Sequence, residues 1–288
     1  MKWLITGANG QLGHCLQQTL TSQGIEHIAL SKSDLDIADE QKTLEIFKYI
    51  NPAVVLNAAA YTNVENAEIE QKLAFDINQI GAANIATGCK SIGARLVHFS
   101  TDYVFSGTKT SPWEPSDLTA PLSVYGKSKL AGELEITKAY RENSIIVRTA
   151  WLYSAFGKNF YKTILNKAIN SKEPVKVVSD QNGQPTSALD LAELTVNAVT
   201  NQAVSGTFHA TNSGSTSWYE FAKLIFELAG EDADRVLPVF TSGFPSKVER
   251  PKYSVLDNRK WNEFGIAPLK SWEESAKAMF PTIAKSLV

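Results

Sequence analysis

The chain has 288 residues, 43% of them hydrophobic, and a formal charge of −2 at neutral pH. This length suffices for one large core or two unequal cores. Basic residues form no block, so nothing in the charge pattern supports binding to nucleic acid or to a membrane surface. No apolar run approaches the roughly 18–20 residues that span a bilayer. The two cysteines, Cys15 and Cys89, form no CxxC pattern, so we expect a reduced, cytoplasmic protein without disulfides.

The first half of the chain alternates short apolar runs with stretches of helical periodicity. Continuous apolar runs rich in β-branched residues predict buried parallel strands, and the stretches between them predict crossover helices. This alternation is typical of a Rossmann-like, doubly wound α/β domain. The predicted strands are 2–6, 27–30, 53–59, 95–100 and 144–149, and the predicted helices are 12–23, 40–50, 70–92 and 125–142.

Beyond residue 150 the pattern is less regular, and we predict a smaller, irregular α/β domain. Helices are expected at 157–171, 187–201, 217–229 and 271–287, and short strands at 175–178 and 206–210. The predicted division assigns 1–148 to the first domain, to which 175–200 and about 250–258 return; the second domain then comprises 149–174, 201–249 and 259–288.

The stretch "ITGANGQLG" (5–13) follows the first predicted strand and opens the first helix. Its glycines, Gly7, Gly10 and Gly13, suit a tight turn, a close approach of backbone to a pyrophosphate and a close contact of helix with strand. The N-terminus of the helix would supply free N–H groups and a partial positive charge for that anion. The position at the first strand–helix junction favours dinucleotide binding over a purely structural turn.

The end of the second predicted strand bears on which dinucleotide binds. An NAD site usually has an acidic residue there for the ribose 2′-hydroxyl, whereas this chain has Ser31 and Lys32. A hydroxyl and a cation would attract a 2′-phosphate, although Asp34 and Asp36 follow shortly after. NADPH is favoured, and NADH stays possible.

Tyr125 and Lys129 lie one helical turn apart at the start of the predicted helix 125–142. Reduction of a carbonyl requires a proton donor, and a free phenol with a pKa near 10 is a weak one. We expect the ammonium of Lys129 to lower the pKa of Tyr125. A further donor for the carbonyl is expected at the end of a nearby strand, where Ser100 and Thr101 lie.

These motifs, in this order, resemble those of the extended short-chain dehydrogenase/reductases, and in particular the dTDP-4-dehydrorhamnose reductase family. The resemblance extends over almost the whole chain. Its motifs are "TGANGQLG" (6–13), "DLDI" (34–37), "NAAAYTNVENAE" (57–68), "STDYVF" (100–105), "PLSVYGKSKLAGE" (121–133), "RTAWLY" (148–153), "GKNF" (157–160), "VVSDQNGQPT" (177–186), "GTFHATNSGSTSWYEFA" (206–222) and "RPKYSVLDNRK" (250–260).

The resemblance implies that NADPH reduces the 4-keto group of a dTDP-linked 4-keto-6-deoxyhexose. Thr101 would bind the keto oxygen, Tyr125 would donate the proton, and Lys129 would tune Tyr125 and bind the nicotinamide ribose. The implied cofactor residues are Gly7, Gly10, Gln11, Leu12, Gly13, Asp36, Ile37, Ala60, Tyr61, Thr62 and Phe99, together with Tyr125 and Lys129. The implied substrate residues are Thr101, Asp102, Trp151, Asn159, Gln181 and Arg250.

Several of these residues have a purely structural alternative. Trp151 could belong to the core, Arg250 to a surface ion pair, and Asp102 to the bracing of its loop. His98 lies in a predicted buried strand, where we expect a core residue rather than a metal ligand. The four histidines show no HxxH or HExxH spacing, so no metal site is predicted.

The sequence departs from the family at two places. Glu65 stands where the family usually has Asp, and this longer carboxylate could shift a loop beside the substrate. Some family members dimerise through a magnesium ion held by carboxylates, and the matching positions here are Cys15 and Leu189, which are poor ligands for a hard cation. We therefore expect a monomer, or a homodimer without a metal bridge.

Three functions stay open at this stage. The first is reduction of dTDP-4-dehydro-β-L-rhamnose to dTDP-L-rhamnose. The second is a 4-ketoreductase of opposite facial selectivity, which gives dTDP-6-deoxy-L-talose, or one acting on another nucleotide. The third is a non-catalytic role resembling the regulatory subunit of methionine adenosyltransferase, against which the Thr101, Tyr125 and Lys129 set argues.

Overall fold

The computed structural model describes residues 2–201, 204–243 and 248–287. The strands, in chain order, are β1 (Trp3–Thr6), β2 (His27–Leu30), β3 (Val54–Asn57), β4 (Arg95–Thr101), β5 (Ser144–Thr149), β6 (Leu152–Tyr153), β7 (Val175–Val178), β8 (Asn182–Gly183), β9 (Thr186–Ser187), β10 (Gly206–His209), β11 (Thr216–Ser217) and β12 (Val236–Val239). The α-helices are α1 (Gln11–Ser22), α2 (Glu40–Ile50), α3 (Val64–Ala67), α4 (Gln71–Phe75), α5 (Gly81–Ile92), α6 (Val124–Tyr140), α7 (Phe160–Asn170), α8 (Ala188–Asn201), α9 (Trp218–Leu228) and α10 (Trp272–Lys285). A π-helix spans Asp76–Ile80, and 3-10 helices span Asp102–Val104, Arg141–Asn143, Ala233–Arg235, Thr241–Gly243 and Arg259–Phe264.

Six parallel strands form the central sheet, in the order β10–β5–β4–β3–β1–β2. Residues of one strand alternate between two cores, one on each face of the sheet. In β1, Trp3 and Ile5 pack with α1 and α8, whereas Leu4 packs on the opposite face with α2, α5 and α6. Helices therefore cover both faces, which confirms the predicted Rossmann-like, doubly wound α/β class.

The second part of the chain builds a separate core from α7, α9, α10 and the two-stranded parallel sheet of β7 and β12. Three aromatic side chains, Tyr153, Tyr161 and Phe221, lie fully buried at its centre. Short paired strands connect this core to the main sheet: β6 with β9, and β8 with β11. The irregular α/β character that the sequence predicted for this part is present.

The structure differs from the predicted division at two strands. Strand β10 was expected in the second domain, but it pairs with β5 at the edge of the main sheet, where Phe208 stacks on Trp261. Strand β7 was expected in the first domain, but it pairs with β12 in the second core. A four-residue apolar strand fits the edge of either sheet, so the packing of its side chains decides the choice. The rest of the division stays a prediction.

The predicted helix 70–92 is present over 71–92, with a π-helical segment in its middle. Helix α4, the π-helix and α5 follow one another, and α6 packs against all three. Gly132 of α6 lies so close to the π-helix that a Cβ atom there would be 2.1 Å from the Asn78 carbonyl oxygen. This close approach fixes α6, the helix that carries Tyr125 and Lys129.

We predict that Gly132→Ala lowers the free energy of unfolding by about 1–3 kcal/mol, because the added methyl group forces α6 away from the π-helix. The control is Gly243→Ala, where a Cβ would meet nothing within 4 Å. Its effect should stay within about 0.5 kcal/mol. Urea unfolding of both variants measures the difference, and equal midpoints would contradict the close approach.

Candidate active site

A cavity of about 770 Å³ opens at the carboxyl ends of the parallel strands, beside the glycine-rich turn. Open α/β sheets bind their ligands at this edge. The cavity brings together residues from 7 to 250 of the chain. The predicted site residues that line it are Gly7, Gly10, Gln11, Leu12, Asp36, Ile37, Ala60, Thr62, Phe99, Thr101, Asp102, Tyr125, Lys129, Trp151 and Arg250.

The glycine-rich turn has the shape that a pyrophosphate site needs. Gly7 has a φ of +72°, and a Cβ there would lie 2.6 Å from the Ala59 nitrogen. A Cβ on Gly13 would lie 2.2 Å from the Gly7 carbonyl oxygen, so this glycine packs beneath the turn. Gly10 is the N-cap of α1 and has no side chain that could bond the first N–H groups of the helix. Those donors suit an anionic group at the cavity, so the residues fit a dinucleotide.

The end of β2 places one cation at the cavity. Lys32 is exposed and lines the cavity next to Asp36. Asp34 instead accepts hydrogen bonds from the backbone nitrogen and hydroxyl of Ser31, at 2.8 and 2.6 Å. Asp34 is therefore engaged in the turn, and Lys32 is the charged group at this position that suits a 2′-phosphate.

Tyr125 and Thr101 meet where β4 ends. Ser123 caps α6 by accepting a hydrogen bond from the Gly126 nitrogen, so the helix begins at the cavity wall and presents Tyr125 in its first turn. The Thr101 side chain lies close enough to Tyr125 to affect the pKa of its phenol. Thr101 also donates to Asp102 Oδ1 at 3.0 Å and accepts from the Tyr103 nitrogen at 3.2 Å. Two hydroxyl groups thus lie together on the cavity wall.

The predicted lowering of the Tyr125 pKa is wrong for this structure. Burial raises the pKa of Tyr125; the Thr101 side chain opposes this shift, and the negative charge of Asp102 adds to it. The Lys129 ammonium lies elsewhere, with Nζ 2.7 Å from the Phe99 carbonyl oxygen. The phenol therefore keeps its proton at neutral pH, which is the form that a proton donor requires.

Lys129 is 2% exposed, an unusual position for an ammonium group. Burial lowers its pKa to about 8, and the charge of Glu133, one turn further along α6, acts in the opposite direction. Glu133 in turn forms a buried, bidentate ion pair with Arg148 of β5, with distances of 2.9 and 2.7 Å. The carboxylate that favours the charged form of Lys129 is thus already paired with Arg148.

Asp102 is also buried, and burial raises its pKa to about 6; hydrogen bonds with Ser254 and Thr101 oppose the shift. This carboxyl group braces its loop, as the structural alternative proposed, and also lines the cavity. Both interpretations of Asp102 are compatible with its position.

Two tryptophans form an aromatic wall of the cavity. The rings of Trp151 and Trp218 stack with centroids 3.6 Å apart. Trp151 has a φ of +47°, a strained value for a tryptophan, and its ring occupies the space that a Cβ on Gly183 would fill. The sequence predicts a helix over 217–229, but no periodicity separates a residue of a cavity wall from a residue of a core, so the position of Trp218 at the cavity was not predicted.

Arg250 reaches the cavity from the second half of the chain. Its Nη2 lies 2.7 Å from Glu65 Oε1, and it also hydrogen-bonds Tyr103. The ion pair that we considered as the alternative for Arg250 is therefore present. It joins the second half of the chain to α3, which carries Glu65, and it lies at the cavity.

Four predicted site residues lie outside the cavity lining. Gly13 packs beneath the turn. Tyr61 bonds Glu70 through its hydroxyl. Asn159 caps α7 and donates to Gln11 Oε1 at 2.9 Å, and Gln181 is buried and donates to Thr241. Asn159 can still act on the site, because it holds Gln11.

Two further hydroxyl groups line the cavity near Thr101: that of Ser100, at the strand end where a donor is expected, and that of Thr149, which was not predicted. Ser100 Oγ and Thr149 Oγ1 are buried, and neither has a hydrogen-bond partner among the described residues. Buried hydroxyls without a partner are costly unless a ligand or water satisfies them. Ser100 is the last residue but one of β4, and Thr149 is the last residue of β5; the position at the end of a strand is the signal that could have identified Thr149.

The two positions matched to the metal-bridged dimer lie at the main core. Cys15 is buried, and burial raises the pKa of its thiol to about 12. Leu189 packs against the same core. The expected absence of a metal bridge stays a prediction. Within the described ranges, no helix combines the length and apolar character needed to cross a membrane.

The model of the RmlD substrate binding domain matches residues 1–284. The chain belongs to this family. A family relative from Streptomyces griseus, dTDP-4-dehydrorhamnose reductase, is 39% identical over 286 residues, which are 98% of this chain and 94% of the relative. A relative from Streptomyces niveus, dTDP-4-keto-6-deoxy-D-glucose reductase, is 38% identical over 282 residues, 98% of this chain and 97% of the relative.

A solved structure in the same group is similar over nearly its full length. The crystal structure of dTDP-4-dehydrorhamnose reductase from Bacillus anthracis in complex with NADP has a TM-score of 0.93 and 39% identity. The match covers 97% of this chain and 98% of that one. The similarity therefore includes both cores of this RmlD family member.

We predict that Glu133→Gln lowers the free energy of unfolding by about 3 kcal/mol, because it leaves the buried Arg148 guanidinium without a countercharge. It should also lower the pKa of Lys129 below about 8, since Glu133 favours the charged form. The control, Glu135→Gln, changes a part-exposed residue of the same helix and should cost no more than about 0.5 kcal/mol. Chemical denaturation measures both, and equal losses would contradict the ion-pair assignment.

Proposed function

We propose that the chain is an NADPH-dependent reductase that converts dTDP-4-dehydro-β-L-rhamnose to dTDP-L-rhamnose. The observation that carries the proposal is the meeting of Thr101, Tyr125 and Lys129 at one cavity, next to the glycine-rich turn. A pure binding module would not require a protonated phenol and a second hydroxyl at the end of a strand. The names of the relatives from Streptomyces griseus and Bacillus anthracis support the same activity.

The cofactor assignment rests on the fit of the turn and on Lys32. Gly7 and Gly10 leave room for a pyrophosphate at the N-terminus of α1. Lys32 supplies a cation for the 2′-phosphate. When bound, NADPH supplies the hydride that reduces C4 of the sugar.

The residues of this chain handle the oxygen and the proton. Thr101 and Tyr125 donate hydrogen bonds to the keto oxygen, which polarises the carbonyl. As negative charge develops on that oxygen, the phenol of Tyr125 transfers its proton to it, and a hydroxyl group forms. The phenolate that remains lies in the positive field of Lys129, and solvent returns the proton.

We assign the sugar and the pyrophosphate to opposite ends of the substrate cavity. The Trp151 ring offers an apolar wall to the deoxysugar. Arg250 offers a guanidinium to the pyrophosphate, and it would exchange Glu65 for phosphate oxygens on binding. Asn159 would act by holding Gln11 at the turn.

A second candidate substrate has a specific observation in its favour. The Streptomyces niveus relative, dTDP-4-keto-6-deoxy-D-glucose reductase, is almost as similar as the reductase from Streptomyces griseus. The same acid and cofactor could serve either sugar, since they do not determine which face of C4 is presented. Product NMR also separates dTDP-L-rhamnose from dTDP-6-deoxy-L-talose.

We further propose that the protein works in the cytoplasm, as a monomer or as a homodimer without a metal bridge. The free, buried cysteines Cys15 and Cys89 support a reducing compartment.

The direct test combines the purified protein, NADPH and each 4-keto sugar nucleotide, and follows the cofactor absorbance. Oxidation of NADPH with the L-rhamno substrate supports the proposal. Oxidation with the D-gluco substrate alone would favour the second candidate, and no oxidation with either would refute both.

We predict that Tyr125→Phe lowers kcat by about 10²–10⁴-fold, because the variant cannot donate the proton. The affinity for NADPH, measured by fluorescence titration, should stay nearly unchanged. Tyr49→Phe is the control, since Tyr49 is 91% exposed and lies outside the cavity lining. A Tyr125→Phe variant with wild-type kcat would show that another group is the acid.

We predict that Lys32→Ala raises the Michaelis constant for NADPH about tenfold and changes that for NADH little, because a charge-assisted bond to the 2′-phosphate is lost. The control is Lys48→Ala, an exposed cation in the last turn of α2. Initial rates with both cofactors give the comparison. An equal rise for NADPH and NADH would contradict the role of Lys32.

A further inference from the structure

A row of polar side chains crosses the buried face of the sheet beneath α6. Thr6, Asn57 and His98 are neighbours in register on β1, β3 and β4, and each is 1% exposed. The two cores that flank the central sheet on either face consist of apolar residues. Three polar side chains in such a place are costly to bury unless all of their hydrogen bonds are made.

The row ends at Lys129. Thr6 Oγ1 lies 2.7 Å from Asn57 Oδ1, and Asn57 Nδ2 lies 3.0 Å from His98 Nδ1. His98 Nε2 then lies 3.3 Å from Lys129 Nζ. The expected core histidine is therefore a core residue that contacts the proposed active-site lysine.

We propose that His98 is a positioning residue for Lys129, and that Thr6, Asn57 and His98 form a hydrogen-bonded row that couples the tautomer of His98 to the charge of Lys129. The inference deepens the proposed function, because it concerns how the active-site lysine is held.

The coupling follows from the donors and acceptors available. An ammonium group can only donate, so charged Lys129 needs His98 Nε2 as an acceptor. The imidazole proton is then on Nδ1 and is donated to the Asn57 amide oxygen, while the amide nitrogen donates to Thr6. Each contact in the row then pairs one donor with one acceptor.

The opposite arrangement suits the neutral amine. The hydroxyl of Thr6 donates to the amide oxygen of Asn57, and the amide nitrogen donates to Nδ1 of His98. The imidazole proton is then on Nε2 and is donated to the amine of Lys129. Between the two arrangements Lys129 loses one proton to solvent, the imidazole carries its proton on the other nitrogen, and the amide turns over.

His98 itself stays neutral in both arrangements. Burial and the nearby charge of Lys129 hold its pKa well below its usual range. Lys129, with a pKa lowered to about 8, is the member of the row that titrates near neutral pH.

Other charged and titratable groups lie on α6 and around it, and their titration can be separated from that of Lys129. Glu133 raises the pKa of Lys129 from the same helix. Asp102, with a pKa raised to about 6, would give a separate step at lower pH. The remaining groups on α6 and on the elements packed against it are Tyr125, Lys127, Glu135, Lys138 and Tyr140 on α6, Arg148 on β5, Arg95 on β4, Tyr103 after β4, Arg141 and Glu142 after α6, Cys89 and Lys90 on α5, Asp76 on the π-helix, Lys72 on α4, Glu65 on α3 and Glu68 directly after α3.

The test uses nitrogen-15 NMR of the histidine rings in the protein without substrate, so it does not depend on enzymatic activity. The chain has four histidines, and His98→Gln assigns the relevant signals by their loss. We expect the proton of His98 to move from Nδ1 to Nε2 as the pH rises, with a midpoint near the Lys129 pKa of about 8. The step should vanish in Lys129→Met. An unchanged tautomer across this range, or the same step in Lys129→Met, would overturn the proposal.

A second arm compares two variants of similar size in the proposed reduction. His98→Gln keeps an acceptor for Lys129, whereas His98→Met does not. Loss of the acceptor destabilises the ammonium, so the pH at which activity falls on the alkaline side should drop by about one unit in His98→Met and stay near the wild-type value in His98→Gln. Equal alkaline limbs in the two variants would contradict the role of His98, even if both were slower. Absence of any reduction by the wild type would refute the proposed function and leave the NMR result to decide the inference.

Discussion

The site depends on one buried hydrogen bond, from Lys129 Nζ to the carbonyl oxygen of Phe99, at 2.7 Å. It ties α6 to β4, and these two elements carry Tyr125 and Thr101. Burial destabilises the charged form of Lys129, and the carboxylate of Glu133, itself paired with Arg148, offsets part of that cost. The arrangement of the acid and its hydroxyl neighbour therefore follows from how one cation is accommodated in the core.

Burial also decides how the acid works. The simplest view has an adjacent ammonium making the phenol more acidic, but the phenol here is made less acidic by its surroundings. A phenol with a raised pKa is fully protonated before the reaction, and the alkoxide that forms on the substrate is a far stronger base. Burial therefore outweighs any lowering of the phenol pKa by the charge of Lys129.

The periodicity of the first half of the chain sufficed to predict the doubly wound sheet, because continuous apolar strands and crossover helices leave few other arrangements. The glycine spacing and the Tyr125–Lys129 pair sufficed to locate the cavity, because each is a pattern within a short stretch of sequence. Partners supplied by distant segments were beyond the sequence. Phe208 of β10 stacks on Trp261, Trp218 stacks on Trp151, and His98 contacts Lys129. Each contact joins residues far apart in the sequence, and no short sequence pattern predicts it.

We propose that Tyr125, in the first turn of α6 and next to the end of β4, protonates the sugar oxygen. A crystal structure of the chain with NADP and the dTDP-linked product tests it most directly. We expect the Tyr125 hydroxyl within about 2.6–3.2 Å of the O4 atom of the sugar, with Thr101 as the second partner of that atom. A sugar whose O4 is bound by other side chains, with Tyr125 out of hydrogen-bonding reach, would contradict it.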